Sequence, residues 1–333
     1  MTTQATLVDH PKTVEDEARE LTDDPALPAL GMIRTRGLVE TLPELRLGEE
    51  ATVRICTYHP GSRATLEVRD VNRRFFIKIY AKDPAAEADL YRRLEFEGLA
   101  SDSGPRVPRL LSCDLDQKVL VLSWLEGPKA NRLVKDGKGR RAGELAASWL
   151  RTASKLDEGI GPPIGGVNLL HQVETSVRTL TTADAALGAT ARRTANILGQ
   201  TQDEADVPHL VHGTLYARHI IDMGDGPGVI DWNRYGQGPL EVDAGMFLAT
   251  ISRTGLRKSS AAGEAGPAAE ALLEGTRGLI DSNSLEWYWA ASLLRLSVRH
   301  LETDPRPQPT LDARSFVAEA ARHAERLVSG GTG

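Results

Sequence analysis

The chain has 333 residues, of which 41% are hydrophobic and 26% are charged, and its formal net charge is −6 at pH 7. This length is sufficient for two compact parts, each with its own hydrophobic core. Charges of both signs are mixed along the chain, so no domain is basic enough for general nucleic-acid binding. No apolar run is long enough to cross a bilayer, so we expect no membrane-spanning segment.

Targeting and redox features point to the cytoplasm. The first ten residues lack the basic region followed by an apolar stretch that defines a secretory signal. Cys56 and Cys113 are the two cysteines of the chain, which argues against a disulfide framework and for a reducing compartment. We expect both cysteines to be small core residues. Residues 1–24 form a lead-in whose acidic segment, 14–24, is either a short helix or disordered.

Alternating apolar and polar residues predict three strands, at Ala51–Tyr58, Ala64–Arg69 and Arg74–Tyr80. The two connections between them, 59–63 and 70–72, contain the residue types that favour tight turns. The three strands are therefore expected to form consecutive hairpins of an antiparallel sheet.

A helix and a further strand are predicted next. Asp83 and Pro84 indicate a helix start, because an Asp accepts hydrogen bonds at a helix N-terminus and a Pro fits its first turn. The helix covers Ala85–Leu94 and has one apolar face. An apolar strand follows at Val119–Leu122, and Glu126-Gly127-Pro128 ends it. Such a strand with an abrupt end suits a hinge between two parts of a protein.

The rest of the chain is predicted to be mostly helical. Apolar periodicity indicates a helix at 140–156, one or two helices over 168–198, and others at 279–301 and 311–328. The segments 159–166 and 259–267 are predicted to be loops because they are rich in glycine, proline and small residues. The role of the wider 255–269 segment stays open.

The most informative stretch is the loop from His212 to His219, followed by the segment that contains Asp231. In a kinase catalytic loop of the form H-R-D-x-x-x-x-N, the Asp accepts the hydroxyl proton of the acceptor and the Asn holds a metal ion. Here His212 begins the loop, but Thr214 occupies the Asp position and His219 occupies the Asn position. Asp231 stands where the next strand of a kinase carries its metal-binding Asp.

Five segments in order resemble the aminoglycoside phosphotransferase and choline kinase-like family, whose loop usually reads H-G-D-x-x-x-x-N and precedes a V-I-D-W strand. They are Phe75–Tyr80, Val119–Gly127, His212-Gly213, Val229–Trp232 and Gly238–Asp243. The resemblance implies an α+β protein with a two-lobe, protein kinase-like fold. Its N-lobe, an antiparallel sheet plus a helix, would cover 25–125, and its mostly helical C-lobe would cover 126–328.

The resemblance also implies an ATP site. Lys78 is expected to bind the nucleotide phosphates, with Glu87 holding it through an ion pair. The alternative for Glu87 is a solvated acid that is favoured by the helix dipole. The turn at 59–63 either covers the phosphates or is a simple hairpin turn.

Adenine and metal contacts are implied in the same way. Backbone groups of Ser123, Trp124 and Leu125 would contact adenine, and the Trp124 side chain either lines that slot or belongs to the core. Asp231 is expected to hold Mg²⁺, which prefers carboxylate and phosphate oxygens. The implied cofactors are therefore ATP and Mg²⁺.

The acceptor side departs from the family pattern. Thr214 does not ionise near neutral pH, so it can only orient a hydroxyl group. His219 is a poor ligand for Mg²⁺, and we expect it to act as a base or to donate to a phosphate when protonated. By resemblance, His212 orders the loop. Arg218 either pairs with a phosphate or an acidic surface, or is an exposed loop charge, and Asp243 braces the loop or caps the next helix.

Two functional hypotheses follow. In the first, the chain transfers the γ-phosphoryl group of ATP to a hydroxyl of a small molecule or peptide, with a degenerate catalytic loop. In the second, it is a pseudokinase: a nucleotide-, substrate- or partner-binding subunit of a modifying complex, which requires a protein partner. The retention of Lys78, Glu87 and Asp231 motivates the first, and the double replacement at Thr214 and His219 motivates the second.

Overall fold

The computed structural model describes residues 23–48, 50–156, 159–202, 208–257, 263–299 and 311–329. The predicted lead-in at 1–24 lies almost entirely outside these residues. The chain divides into two compact units: unit 1 contains 1–100 and 108–125, and unit 2 contains 101–107 and 126–333. The class is α+β, as predicted, with an antiparallel sheet in unit 1 and mainly helices in unit 2.

Unit 1 is built on a five-stranded antiparallel sheet. Its strands are β1 Thr52–His59, β2 Arg63–Asp70, β3 Arg73–Tyr80, β4 Leu110–Asp114 and β5 Val119–Ser123. They are arranged in the order β1-β2-β3-β5-β4. Because side chains alternate along a strand, Ile77 lies on one face of β3 while Phe76 and Lys78 lie on the other. The sheet thus separates a core face from a face that carries polar chemistry.

The core face of this sheet is covered by short N-terminal helices that the sequence pattern did not predict. These are α1 Pro28–Arg36, α2 Leu38–Thr41 and a 3₁₀ turn at Pro43–Leu45. Leu30 and Ile33 are fully buried in one cluster with Leu66 and Ile77. Each such buried aliphatic side chain contributes about 1.5–3 kcal/mol. This packing fixes the sheet on which Lys78 is mounted.

Helix α3, Ala85–Phe96, begins where it was predicted to begin. The Asp83 carboxylate accepts a hydrogen bond from the Ala85 N–H at 2.8 Å, which satisfies one of the donors left open at a helix start. Leu90 and Leu94 are buried on one face of the helix. The first turn of α3 is therefore held in place, and it carries Glu87.

The prediction that both cysteines are core residues is wrong. Cys56 is exposed and Cys113 is half-buried. Cys56 lies in β1, an edge strand, at an irregularity of the β1–β2 register between Ile55 and Thr57. The irregularity turns this part of β1 away from the core, so that the residues around Cys56 face solvent.

Unit 2 consists mainly of helices. They are α4 Ala130–Lys135, α5 Gly139–Ala153, α6 Gly166–Ala183, α7 Ala185–Gln200, α8 Glu241–Arg257, α9 Ala265–Gly275, α10 Ser282–Ser297 and α11 Leu311–Ser329. The region 168–198 contains two helices, because Asp184 interrupts the run and its carboxylate caps α7 through the Leu187 N–H at 3.0 Å. Helix α9 begins inside the segment predicted to be a loop at 259–267, and residues 258–262 lie outside the described part of the chain.

Two short strand pairs lie between the helices of unit 2. β6 His209–Val211 pairs with β9 Gly236–Gly238, and β7 Ile220–Asp222 pairs with β8 Pro227–Val229. Together they frame the loop from His212 to His219 and the segment with Asp231. Among the described residues, no helix has the length and apolar character that a membrane crossing requires.

Candidate active site

Unit 1 contains a buried ion pair between Lys78 on β3 and Glu87 on α3. The Lys78 Nζ lies 2.6 Å from Glu87 Oε1, and the two residues are only 9% and 7% exposed. The Tyr80 hydroxyl donates to the second Glu87 oxygen at 2.7 Å, and burial raises the pKa of Tyr80. Glu87 is thus not a solvated acid. Sequence reasoning missed Tyr80, although a position two residues from Lys78 shares its face of the strand.

Glu67 forms a second charged cluster on the same face of the sheet, where β2 pairs it with Phe76 of β3. Its carboxylate accepts hydrogen bonds from Arg54 at 3.1 Å, Arg69 at 2.5 Å and Arg74 at 2.8 Å. Burial alone would raise the pKa of Glu67, but these guanidinium groups outweigh it and lower that pKa to about 2. The buried carboxylate thus holds three arginines of neighbouring strands together.

Glu67→Gln should lower the unfolding free energy by about 1–3 kcal/mol at neutral pH, because the amide leaves three cations without their shared anion. A group with a lowered carboxyl pKa stabilises the fold above its unfolded pKa and loses this contribution as the pH falls. The difference between wild type and variant should therefore shrink between about pH 4.5 and about pH 2. Denaturant titrations over this range measure it, and a difference that does not change with pH would contradict the assignment.

The end of β5 holds the three residues expected at adenine. The Ser123 N–H donates to the Arg109 carbonyl, and the Ser123 hydroxyl accepts from the Arg109 N–H, both at 2.9 Å. The Trp124 ring stacks on Phe76 at 4.3 Å, with the Arg74 guanidinium 3.4 Å from its centroid. Leu125 is buried. Trp124 is therefore half-buried against the polar face of the sheet.

The backbone N–H groups of the turn between β1 and β2 are already engaged in hydrogen bonds within unit 1. The Gly61 N–H donates to the Asp24 carboxylate at 2.8 Å, and the Ser62 N–H donates to the His59 carbonyl at 3.0 Å. Gly61 adopts a φ of 68°, a conformation that favours glycine. A loop that binds phosphate offers such N–H groups to the ligand. Their engagement within unit 1 favours the simpler interpretation, a hairpin turn.

In unit 2, Asp243 braces the backbone of the His212 loop, one of its two predicted roles. Its carboxylate accepts from the His212 N–H at 2.6 Å and the Gly213 N–H at 2.9 Å. Burial raises the pKa of Asp243 to about 7, and the N–H groups of His212, Gly213 and Leu215 oppose the rise. Gly213 has a φ of 73°, and a Cβ there would lie 2.2 Å from the Arg234 carbonyl, so that the turn requires glycine.

The two histidines of the loop are fixed by carbonyl groups. The His212 Nε2–H donates to the Ile230 carbonyl at 2.9 Å, and the His219 Nδ1–H donates to the Thr214 carbonyl at 3.0 Å. His219 Nε2 lies 3.4 Å from Asp231 Oδ2. Burial, followed by the nearby His212 charge, lowers the pKa of His219 well below its usual value. The lowered pKa favours the neutral form of His219, whose Nε2 lies beside the Asp231 carboxylate.

Asp231 itself adopts a left-handed backbone conformation with a φ of 70°. Few residues other than glycine occupy this region, although Asp and Asn do so more readily than most. Such strained positions cost about 1–3 kcal/mol and cluster at functional sites. The donor set fits a metal ion in part: an Asp231 oxygen suits Mg²⁺, whereas the His219 nitrogen suits softer ions.

Thr214, Arg218 and Asp222 complete the surroundings of the two histidines, and one of the two alternatives predicted for Arg218 is ruled out. Thr214 is 9% exposed, and its carbonyl accepts from both Tyr216 and His219. Arg218 is not an exposed loop charge, because its guanidinium lies 4.2 Å from the Tyr216 ring centroid. Asp222 ends β7 and pairs with Arg141 at 2.7 Å. The structure therefore brings Thr214, His219 and Asp231 together and leaves Asp222 with a structural role.

The antiparallel sheet with its Lys78–Glu87 pair, the braced His212 loop and the mostly helical second unit define a kinase-like phosphotransferase fold. Residues 58–279 match the APH phosphotransferase enzyme family. The chain therefore belongs to this family, as its sequence motifs predicted. No curated protein matches the chain at a significant level.

Solved structures confirm the fold. A microcompartment-associated aminopropanol kinase is 17% identical, with a TM-score of 0.62 over 87% of this chain and 96% of that chain. A thermostable aminoglycoside phosphotransferase mutant, in a ternary complex with AMP-PNP and hygromycin B, is 14% identical with a TM-score of 0.58, over 90% and 99%. A choline/ethanolamine kinase family protein from Mesorhizobium loti is 17% identical with a TM-score of 0.53, over 79% and 85%.

Proposed function

We propose that this chain is a slow ATP-dependent phosphotransferase that acts on a hydroxyl group of a small molecule. The observation that carries the proposal is the buried ion pair of Lys78 with Glu87, whose Nζ–Oε1 distance is 2.6 Å. Two buried charges need close partners and carry a desolvation cost, so such a pair is weak evidence of a purely stabilising role. In phosphotransferases, this pair aims the lysine at the nucleotide phosphates.

The nucleotide side of the proposal rests on chemistry that unit 1 supplies. Lys78 provides one positive charge for the phosphates, and Glu87, itself held by Tyr80, fixes its direction. Backbone groups of Ser123, Trp124 and Leu125 are proposed to meet the adenine ring, and the half-buried Trp124 ring is proposed to line the same slot. The AMP-PNP complex of a relative with the same fold supports a nucleotide as the ligand.

The metal side of the proposal rests on Asp231, the oxygen ligand that suits Mg²⁺. When bound, Mg²⁺ would neutralise phosphate charge as it builds up in phosphoryl transfer. His219 contributes no oxygen, so we expect weak Mg²⁺ binding and a relatively better response to Mn²⁺, which accepts imidazole more readily.

The acceptor side relies on positioning more than on base catalysis. Phosphoryl transfer passes through a loose transition state, so most of the rate comes from orientation and charge. Thr214 would orient the acceptor hydroxyl, His212 keeps the loop in order, and His219, whose pKa is lowered by burial, would accept the proton at Nε2. Without a carboxylate base, the rate should be lower by about 10²–10⁴.

Calorimetric titration of ATP, with and without Mg²⁺, tests the proposal on the purified protein. We expect Mg²⁺-dependent binding that Lys78→Met weakens by about tenfold or more, since a charge-assisted contact is lost. Lys82→Met is the matched control, because Lys82 is an exposed lysine of the same unit. Absence of ATP binding in both conditions would overturn the proposal.

Asp231→Asn should abolish the Mg²⁺ dependence of ATP binding while leaving metal-free binding unchanged, because the amide removes the anionic ligand. Asp136→Asn is its control, since Asp136 is an exposed partner of Arg132 on α4 and such pairs contribute little. The same titrations measure both variants. A Mg²⁺ dependence that survives Asp231→Asn would move the metal site to other residues.

A second candidate, a pseudokinase that binds a nucleotide, substrate or protein partner, is favoured by one observation. The two ring nitrogens of His219 already face Thr214 and Asp231, and Thr214 has no ionisable group. Release of ADP in the presence of candidate hydroxyl acceptors distinguishes the two functions. Binding of ATP without any ADP release across such a set would favour the second.

A further inference from the structure

An arginine cluster surrounds Tyr216 in the loop of unit 2. The Arg218 guanidinium carbon lies 4.2 Å from the Tyr216 ring centroid, and that of Arg299 lies 5.1 Å from it. Arg295 is also close, because the charges of Tyr216 and Arg234 both act on its pKa. Two segments that are distant in sequence, around Arg218 and at 295–299, thus bring positive charges to one tyrosine.

Among the described residues, the cluster is not balanced by ion pairs, although the Asp231 carboxylate acts at longer range on the pKa of Arg218. Within the described part of the chain, Arg218, Arg234, Arg295 and Arg299 form no ion pair within 4.0 Å. Arg218 and Arg295 are partly withdrawn from water, and burial lowers the pKa of each. Bringing like charges together and away from water is unfavourable unless an anion joins them. A planar guanidinium offers paired donors that match carboxylate and phosphate oxygens.

A cavity of about 360 Å³ adjoins this cluster. Its described lining includes Arg218, Tyr216, Lys135 of α4 and Arg253 of α8, with the Thr250 and Thr254 side chains, and contains no carboxylate. The volume is that of a small-molecule site. The threonine hydroxyls can hydrogen-bond to a polar ligand, while the cations favour a negatively charged one.

We infer that the acceptor of this chain carries a carboxylate or phosphate group, bound by Arg218 and Arg299 beside Tyr216. The inference rests on the proposed phosphotransferase function, since Arg218 directly precedes His219 in the loop. A polyamine such as an aminoglycoside would meet like charges here, which disfavours it by electrostatic repulsion. The anionic group anchors the molecule, and its hydroxyl is the group that receives phosphate.

A three-carbon series of probes tests this charge preference. Glycerol, glycerate, glycerol 3-phosphate and 3-amino-1,2-propanediol share a carbon skeleton and differ mainly in charge. Calorimetry on the full chain should show the two anions binding at least about tenfold more tightly than glycerol, and the amine binding most weakly. Equal binding of all four, or preference for the amine, would overturn the inference.

Variants assign the effect to the cluster. Arg299→Gln and Arg218→Gln should each weaken glycerol 3-phosphate binding by about tenfold to a hundredfold, the usual effect of one charge-assisted contact. Arg277→Gln, at an exposed arginine outside the cluster, should leave it unchanged. Arg299 is exposed, so its variant is expected to fold even where Arg218→Gln does not. Unchanged binding in Arg299→Gln would overturn the inference.

Two further binding experiments distinguish a small anionic acceptor from nucleotide phosphates and from an acidic protein surface. Displacement of glycerol 3-phosphate by AMP-PNP with Mg²⁺ would assign the arginines to the nucleotide phosphates and overturn the inference. Binding of poly-glutamate but of neither small anion would assign them to an acidic protein surface, which also overturns it. If ATP does not bind but glycerol 3-phosphate does, the proposed function fails while the anion site stands.

Discussion

Restoring the family residues, with Thr214→Asp and His219→Asn together, should raise the rate of ADP release by about 10²–10⁴, the usual contribution of a positioned base. The Asp would accept a proton that Thr214 cannot take, and the Asn would offer Mg²⁺ an oxygen in place of an imidazole nitrogen. Intrinsic ATP hydrolysis serves as the readout, because water can replace an unidentified acceptor.

The matched control for this variant is Thr214→Asn with His219→Asn. It has nearly the same side-chain volumes and the same replaced imidazole, and it differs only in the ionisable group at 214. His219 packs 5.3 Å from His212 and 5.1 Å from Tyr216, centroid to centroid, so its removal also leaves a gap that lowers stability. Comparing the two double variants cancels that loss. Equal rates in both, with ATP still bound, would show that a carboxylate at 214 does not act as a base.

The ion pair of unit 1 could be predicted because the resemblance to the kinase-like family implies it, and local patterns then place its two residues. Strand alternation fixes the face on which Lys78 lies, and the helix start at Asp83 fixes the turn that carries Glu87. Tyr80 and Glu67 were missed because their contacts depend on sheet register and burial, which a strand pattern does not supply. The helices at 28–45 were missed because short helices depend on tertiary packing more than on their own sequence pattern.

In the loop of unit 2, the motif predicts which residues are present but not the conformation and contacts that tertiary packing gives them. The motif identified His212, Thr214, His219 and Asp231, since these keep their order and spacing in the chain. It did not predict the left-handed backbone of Asp231 or the lowered pKa of His219, which depend on burial and on partners from other segments. The arginine cluster at Tyr216 joins positions more than eighty residues apart, and charge spacing along the sequence carries no signal for it.

Asp243 holds the His212 loop through hydrogen bonds from backbone N–H groups. Asp243→Asn should lower the unfolding free energy by about 2–4 kcal/mol, because one carboxylate oxygen becomes an NH₂ group that faces a backbone N–H donor. Asp281→Asn is the matched control. Asp281 caps α10 by accepting from the Ser284 N–H at 2.8 Å, and Asn caps a helix about as well as Asp. Urea titrations measure both variants.

The pH dependence of that loss identifies its cause. Because burial raises the pKa of Asp243 to about 7, the folded chain binds a proton there between about pH 4 and about pH 7, and the unfolded chain does not. The stability that Asp243 gives to the wild type therefore falls as the pH rises through this window. The deficit of Asp243→Asn should be larger near pH 5 than near pH 7.5. A deficit that stays the same from about pH 5 to about pH 7.5 would instead mean that the three backbone donors keep the carboxylate charged throughout this range.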